Sequence, residues 1–132
     1  MAASEHKPKV LMLDDEKFLL DIYRLSFEKH GYEVATTYSA DNALDLLKSD
    51  YEPDVILFDV TMPDSRSGYE FIEAVKAGKL AKHALKVALT NEGRDAAKAR
   101  LLELGMDAYL QKAQFIPSEI VAEVNKLLQE KR

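Results

Sequence analysis

Apolar residues in this chain fall into short, uninterrupted runs, separated by longer stretches in which apolar positions recur every three or four residues. Runs of about four residues without alternation are typical of strands that are buried on both faces of a parallel sheet. Two further strand candidates are more polar, which suits the edges of a sheet. The apolar runs span residues 10–13, 55–58 and 87–89, and the polar candidates span residues 33–37 and 107–111.

The stretches between these runs have the spacing of amphipathic helices, and five helices are predicted. Ser39 is placed to cap the second helix, and Pro117 falls in the first turn of the fifth. Gly31 and Gly105 are expected to end the first and fourth helices. The apolar positions are, in helix order, Leu19, Ile22, Tyr23 and Phe27; Ala40, Ala43, Leu44 and Leu47; Phe71, Ile72 and Val75; Ala97, Leu101 and Leu104; and Ile120, Val124, Leu127 and Leu128.

Strict alternation of strands and helices predicts an α/β protein whose parallel sheet carries helices on both faces. Right-handed crossovers leave few arrangements, and the two polar strands belong at the edges. These conditions select strand order 2-1-3-4-5, the flavodoxin-like doubly wound (βα)5 sandwich. We therefore predict one domain over residues 9–132, preceded by a loose tail at residues 1–8.

Composition narrows the classes of function. The 132 residues include no cysteine, which excludes disulfides, thiolate metal sites and cysteine nucleophiles. A net charge of −5 argues against nucleic-acid or anionic-membrane binding by this chain. Apolar runs of about four residues are too short to span a membrane, so a cytoplasmic protein is expected. The weakly basic stretch of Lys79, Lys82 and Lys86 is interpreted as a solvated loop.

Acidic residues follow two strands that the predicted order makes neighbours. Asp14 and Asp15 follow the first strand, and Asp59 follows the third. The winding direction reverses between these strands, where sheets of this kind bind ligands. At a separation of ~5 Å and an effective dielectric of about 20, each pair of carboxylates repels by roughly 3 kcal/mol. Magnesium would offset this repulsion, and protonation of one carboxyl is the alternative.

A hydroxyl and a cation are expected at the same edge of the sheet. Thr90 ends the fourth strand and Lys112 follows the fifth. Both side chains can contact phosphate oxygens. A carboxylate that attacks phosphorus forms an aspartyl phosphate, which is a known covalent route. The set therefore predicts phosphoryl chemistry beside a metal ion.

In this order along the chain, these motifs resemble the CheY-like receiver domains of two-component response regulators. The resemblance covers about residues 8–131. It rests on Asp14-Asp15, on the Asp-Val-Thr-Met-Pro segment that begins at Asp59, on the Ala-Leu-Thr segment that ends at Thr90, and on the Tyr-Leu-Gln-Lys segment that ends at Lys112.

The resemblance implies that Asp59 accepts a phosphoryl group within a phosphorelay. The donor would be a sensor histidine kinase, a phosphotransfer protein or a small phosphodonor. Asp15 and Asp59 would ligate Mg2+ (or Mn2+ as a substitute) together with the backbone carbonyl of Thr61, while Asp14 would act mainly through a metal-bound water.

The resemblance also implies a switch. Lys112 would pair with the phosphoryl group, Thr90 would move to hydrogen-bond it, and Tyr109 would turn inward. The fourth helix, fifth strand and fifth helix would form the face that binds an unidentified downstream protein or a second copy of the chain. We expect these 132 residues to contain no DNA-binding or catalytic output domain, and both a stand-alone regulator and a piece of a larger one remain open.

The sequence departs from the family pattern at several positions. Ala113 follows Lys112, where the family usually has proline, and a trans bond is expected because a non-proline cis bond costs ~2.5–4 kcal/mol. The loop between Pro63 and Gly68 is one residue longer than usual. Thr61, Asn91 and Glu92 line the expected entrance to the site and would tune access to the phosphoryl group and its lifetime.

Two other functions compete with this interpretation. A receiver that no longer takes phosphate would be a constitutive docking domain. A magnesium-dependent phosphohydrolase of the haloacid-dehalogenase type would carry an acid–base aspartate two residues after the nucleophile, but Thr61 stands there and no cap insertion follows. We therefore expect no enzymatic activity beyond the chain's own aspartyl phosphorylation and dephosphorylation.

Overall fold

A computed structural model describes residues 7–60, 68–90 and 95–131 of the protein, and of residues 95–98 it describes the backbone alone. Strands and helices alternate along these ranges, in the predicted order. The elements are β1 (Lys9–Leu13), α1 (Lys17–Lys29), β2 (Glu33–Thr37), α2 (Ala40–Lys48), β3 (Val55–Asp59), α3 (Gly68–Ala77), β4 (Leu85–Thr90), α4 (Asp95–Glu103), β5 (Ala108–Gln111), a 3-10 turn (Lys112–Gln114) and α5 (Pro117–Lys131).

The five strands form one parallel sheet in the order β2-β1-β3-β4-β5, which confirms the predicted topology. The register pairs Leu13 of β1 with Phe58 of β3, and Asp59 with Leu89 of β4. The carboxyl ends of β1, β3 and β4 therefore lie side by side at one edge of the sheet. The partly exposed strands β2 and β5 occupy the flanks, as their polar sequences predict.

Two hydrophobic clusters cover the two faces of the sheet. One joins α1 and α5 to side chains such as Val10, Leu57 and Val87, and the other joins α2, α3 and α4 to side chains such as Leu11, Ile56 and Ala88. Successive strand residues point to opposite faces, and both faces are covered, so the central residues of β1, β3 and β4 are apolar on both sides of the sheet. This explains why their sequences do not alternate.

The prediction of which α1 residues are buried is wrong in part. Tyr23 and Phe27 are buried as predicted, but Ile22 is 37% exposed and Leu20 is buried instead. The helix carries apolar residues on two sides, so spacing alone cannot decide which side faces the sheet. The side left in solvent presents Phe18, which is 81% exposed, Ile22, and Leu25, which is 58% exposed.

The predicted helix ends are confirmed. The Ser39 hydroxyl accepts a hydrogen bond from the Asn42 N–H at 3.2 Å, and Gly31 and Gly105 follow α1 and α4 with φ angles of 89° and 88°. β5 begins one residue later than predicted, at Ala108. Asp107 instead uses its carboxylate to accept a hydrogen bond from the Lys86 N–H at 2.8 Å, which fixes the start of β4.

Candidate functional site

The three predicted carboxylates meet at the carboxyl edge of the sheet. Asp14 and Asp15 follow β1, Asp59 ends β3, and one carboxylate oxygen from each lies within 4.8 Å of the other two. Asp14 is 2% exposed and Asp59 is 3% exposed, while Asp15 is half-buried. Carboxylates this close and this buried repel each other strongly. The site therefore requires positive charge.

Backbone hydrogen bonds fix the position of Asp14. Its Oδ1 accepts from the Glu16 N–H at 3.0 Å, and its own N–H donates to the Thr37 carbonyl at 3.2 Å. The Thr37 hydroxyl in turn donates to the Met12 carbonyl at 2.8 Å. These bonds tie the loop after β1 to the end of β2. The Asp14 carboxylate is thus held in place before any ligand arrives.

Lys112 supplies positive charge from the other side of the site. Its Nζ lies 3.0 Å from Asp14 Oδ2 and 3.0 Å from Asp59 Oδ2, and the side chain is 7% exposed. Lys112 opens the 3-10 turn after β5, which directs the side chain back over the sheet edge. Among the residues described there is no cis peptide bond, so the bond to Ala113 is trans as expected.

Burial and the nearby carboxylates shift the pKa of Lys112 in opposite directions. Burial lowers the pKa of the ammonium, but the nearby Asp59 and Asp14 carboxylates, which also accept its hydrogen bonds, outweigh burial and raise the pKa above its usual value. Lys112 is therefore a permanent cation at neutral pH.

Behind the site, burial raises the pKa of the Tyr23 phenol. The Lys112 charge partly offsets this increase, and the Asp14 and Asp59 charges add to it.

Gly68 is a further site residue, which the sequence interpretation treated only as the end of a loop. It begins α3, and its N–H donates to the Val60 carbonyl at 3.1 Å. A Cβ atom at this position would lie 2.5 Å from the Asp59 carbonyl oxygen and 2.5 Å from the Val60 Cα. Only glycine allows α3 to pack this closely against the backbone of the candidate acceptor.

Thr90 and Tyr109 lie on the strands next to Asp59. Thr90 is 1% exposed at the end of β4, one residue beyond the Leu89 that pairs with Asp59. Tyr109 pairs with Ala88, two residues before Thr90, so alternation places both side chains on the face of α2, α3 and α4. Tyr109 is half-buried against the cluster on that face. Their roles as switch residues remain predictions.

Three predicted site residues, Thr61, Asn91 and Glu92, lie outside the described residues. The prediction that the Thr61 carbonyl ligates a metal therefore stays a prediction. The same holds for the proposed effect of all three residues on access and lifetime.

The donor set suits a hard divalent cation. Among the described residues, the candidate ligand atoms are carboxylate oxygens, which Mg2+, Ca2+ and Mn2+ prefer over nitrogen or sulfur. Three carboxylates face one ammonium, so the described part of the site retains excess negative charge. Asp14, Asp15 and Asp59 could therefore hold a metal ion.

A family model described as the response regulator receiver domain matches residues 10–125 of the chain. The match includes residues of all five described strands and all three carboxylates. This chain belongs to the response regulator receiver domain family. The predicted family is thereby confirmed, and the domain is that of a two-component response regulator.

Individual relatives agree with this assignment. The response regulator SaeR of Staphylococcus aureus is 35% identical over 119 residues, which cover 90% of this receiver domain and 50% of SaeR. The chain thus spans about half the length of the curated relatives it matches. A CheY-like receiver domain protein from Methanospirillum hungatei JF-1 has a solved structure with 28% identity and a TM-score of 0.84, covering 96% of this chain and 97% of that one.

The chemotaxis response regulator CheY4 of Vibrio cholerae gives a similar result, with 28% identity, a TM-score of 0.82, and coverage of 92% of this chain and 99% of that one. Within the described part of this receiver domain, no helix is long and apolar enough to cross a membrane.

Proposed function

We propose that this receiver domain accepts a phosphoryl group on Asp59 with the help of Mg2+ bound at Asp14, Asp15 and Asp59. One observation carries the proposal. Three carboxylates within 4.8 Å of one another share the carboxyl edge of the sheet with the Lys112 ammonium. A structural ion pair needs one carboxylate for one cation. The additional acidic groups suit a site that takes up a divalent cation and a phosphoryl group together.

In the proposed reaction an Asp59 carboxylate oxygen attacks phosphorus and forms a new O–P bond. The bond from phosphorus to the donor atom breaks, and the leaving group keeps the electron pair and takes a proton from solvent. Lys112, already 3.0 Å from Asp59 Oδ2, stabilises charge on the phosphoryl oxygens. Bound Mg2+ would supply further charge neutralisation and orientation at the same oxygens.

The aspartyl phosphate would then act as a switch. It adds charge of about −1.5 to −2 at the sheet edge, where Lys112 and Thr90 can respond. Shifting a population from 1:99 to 99:1 takes ~5.5 kcal/mol, more than the ~1–3 kcal/mol of a single new hydroxyl contact. Either repacking of Tyr109 and α4 would contribute the difference, or the movement of Thr90 would be partial. The face formed by α4, β5 and α5 would carry the signal to a downstream protein.

The exposed side of α1 fits the docking of the phosphodonor. Phe18, Ile22 and Leu25 recur at helical spacing on the helix that begins just after Asp14 and Asp15. An exposed apolar helix face with this spacing would suit a hydrophobic groove on a partner protein. We assign this role to a sensor histidine kinase or a phosphotransfer protein within the phosphorelay.

The test is to incubate the domain with acetyl phosphate or phosphoramidate and Mg2+ and to measure the intact mass. A single phosphoryl addition is expected in the wild type and in Asp50→Asn, which changes an exposed carboxylate remote from the site. The addition should disappear in Asp59→Asn. A phosphorylated Asp59→Asn would overturn the assignment of the acceptor, and an unmodified wild type would favour the constitutive docking domain.

A further inference from the structure

A second candidate site lies between α3, α4 and the loop that leads into β4. A cavity of about 250 Å3 opens there, and its apolar lining consists of Ile72, Val75, Leu80 and Leu104. Four lysines complete the lining, and no acidic side chain takes part. They are Lys76, Lys79, Lys82 and Lys86. The interpretation of this stretch as a solvated loop holds for Lys79 and Lys82, which are exposed, but the same lysines also border an apolar cavity.

The hydrogen bonds of these lysines go to backbone carbonyls. Lys76 donates to the Glu103 carbonyl at 3.3 Å, and Lys86 donates to the Ala81 and Ala84 carbonyls, each at 3.2 Å. Among the described residues, none of the four lysines forms an ion pair with a carboxylate. Burial lowers the pKa of Lys86; Asp107 offsets this in part, and Lys131 adds to it. Positive charge is thus concentrated here in a chain whose net charge is −5.

The loop backbone is strained where it borders the cavity. Lys79 and Ala81 have φ angles of 54° and 45°, in the left-handed region that favours glycine. At Lys79 this conformation ends α3, since the Leu80 N–H bonds the Val75 carbonyl at 3.0 Å. Glycine is the usual residue at such a helix end. A lysine in this position costs stability, but it adds a cation to the cavity rim.

We propose that this cavity binds an acidic peptide segment of a partner protein, anchored by one apolar side chain. The apolar floor would receive the anchor, and the lysine rim would pair with carboxylates on either side of it. Pockets for drug-sized ligands span roughly 300–1,000 Å3, so a cavity of about 250 Å3 suits one side chain better than a whole small molecule. In protein interfaces a few side chains in well-packed, desolvated pockets supply most of the affinity.

This peptide site is separate from the phosphoryl site. Lys86 lies near the start of β4 and Thr90 ends it, so the two sites are about 13 Å apart along the strand. The Lys79 and Lys82 side chains are exposed. Charge changes there should leave the acidic site intact.

The experiment uses a fluorescein-labelled peptide, Glu-Asp-Glu-Leu-Asp-Glu-Glu, and measures fluorescence anisotropy with the purified domain. Saturable binding is expected, and it should weaken with added salt because the rim charges are exposed. Reversing two exposed charges in Lys79→Glu/Lys82→Glu should weaken binding by about tenfold. Lys29→Glu/Lys126→Glu is the matched control, since it makes the same change in net charge at exposed lysines elsewhere and should bind like the wild type.

Two further measurements separate anchoring from simple charge attraction. A peptide with serine in place of leucine should bind several-fold more weakly, and amide chemical shifts should move around Lys79, Leu80 and Gly105. The Asp59→Asn variant should bind like the wild type, so failure of the proposed phosphorylation would not affect this result. Equal weakening in both double variants, no difference between the peptides, or binding only to phosphatidylglycerol vesicles would each overturn the proposal.

Discussion

The Lys112 ammonium lies 3.0 Å from the Asp59 carboxylate and at the same distance from Asp14. Lys112, which is predicted to bind the phosphoryl group, thus already neutralises Asp59, the predicted phosphoacceptor. A divalent cation at the acidic cluster would share these same carboxylates. Lys112 and the metal are therefore expected to compensate for each other in stabilising the site.

This relationship predicts that the effect of Lys112→Ala depends on Mg2+. Without the metal, the substitution leaves two buried carboxylates unneutralised, and the free energy of unfolding should fall by about 3–5 kcal/mol. Saturating Mg2+ should recover much of the loss. The measurement is urea unfolding with Mg2+ and with chelator, and the exposed Lys29→Ala serves as control. An identical loss under both conditions would contradict the expected compensation.

Metal binding should itself stabilise the folded domain. A ligand at ~100 times its dissociation constant adds about 2.7 kcal/mol to the free energy of unfolding. Asp15→Asn removes one candidate ligand and should abolish most of this gain, whereas the exposed Asp50→Asn should retain it. The shift of the urea midpoint on adding Mg2+ measures the effect. A full shift in Asp15→Asn would exclude this carboxylate from the metal site.

Gly68→Ala should disturb both the fold and the chemistry. Its Cβ would lie 2.5 Å from the Asp59 carbonyl oxygen, so the start of α3 or the end of β3 must move. Overpacking of this kind costs about 1–3 kcal/mol. Displacement of Asp59 should also slow its phosphorylation by acetyl phosphate.

Gly78→Ala provides the comparison for this variant. Its Cβ would meet its nearest neighbours at 3.2 and 3.3 Å, and it lies at the other end of α3. We expect a smaller loss of stability and an unchanged rate of phosphorylation. If both variants slowed phosphorylation equally, the close packing of Gly68 on Asp59 would have no specific role.

The sequence predicts the sheet better than it predicts the faces of the helices. Strand order follows from local composition, because the polar strands β2 and β5 can only be edges, and the position of the acidic cluster follows from strand order. The buried face of α1 does not follow, because Leu20 and Ile22 are equally apolar and only packing against the sheet buries one of them. The close packing of Gly68 against Asp59 cannot be predicted from the sequence either, since it depends on the position of the backbone at the end of β3.

The cavity lined by the four lysines could not be predicted from the sequence either. Lys79, Lys82 and Lys86 can be read as a basic stretch, but Lys76 and Leu104 join them only through the packing of α3 beside α4. Periodicity identifies which residues of one helix share a face. It cannot identify the gap that remains between two helices and a loop.

Tyr51 carries the last prediction. Its ring packs against the cluster on the α2–α3–α4 face, and within the described residues its buried hydroxyl has no hydrogen-bond partner. Burial, with smaller effects from Glu33 and Asp54, raises the pKa of Tyr51 to about 12. A buried hydroxyl without a partner costs roughly 1–3 kcal/mol. Tyr51→Phe should therefore stabilise the domain by about 1 kcal/mol at neutral pH.

The pH dependence of this gain has a definite sign. The folded state holds the Tyr51 proton more tightly than the unfolded chain, whose tyrosine pKa is about 10. The wild type thus loses stability as the pH rises from about 10 towards 12, and Tyr51→Phe does not lose this contribution. The gap between their urea midpoints should widen above pH ~10. Tyr38→Phe, which removes the hydroxyl of a ring that is 40% exposed, serves as the control variant. If the difference between the urea midpoints stayed constant with pH, the raised pKa of the Tyr51 phenol would be contradicted.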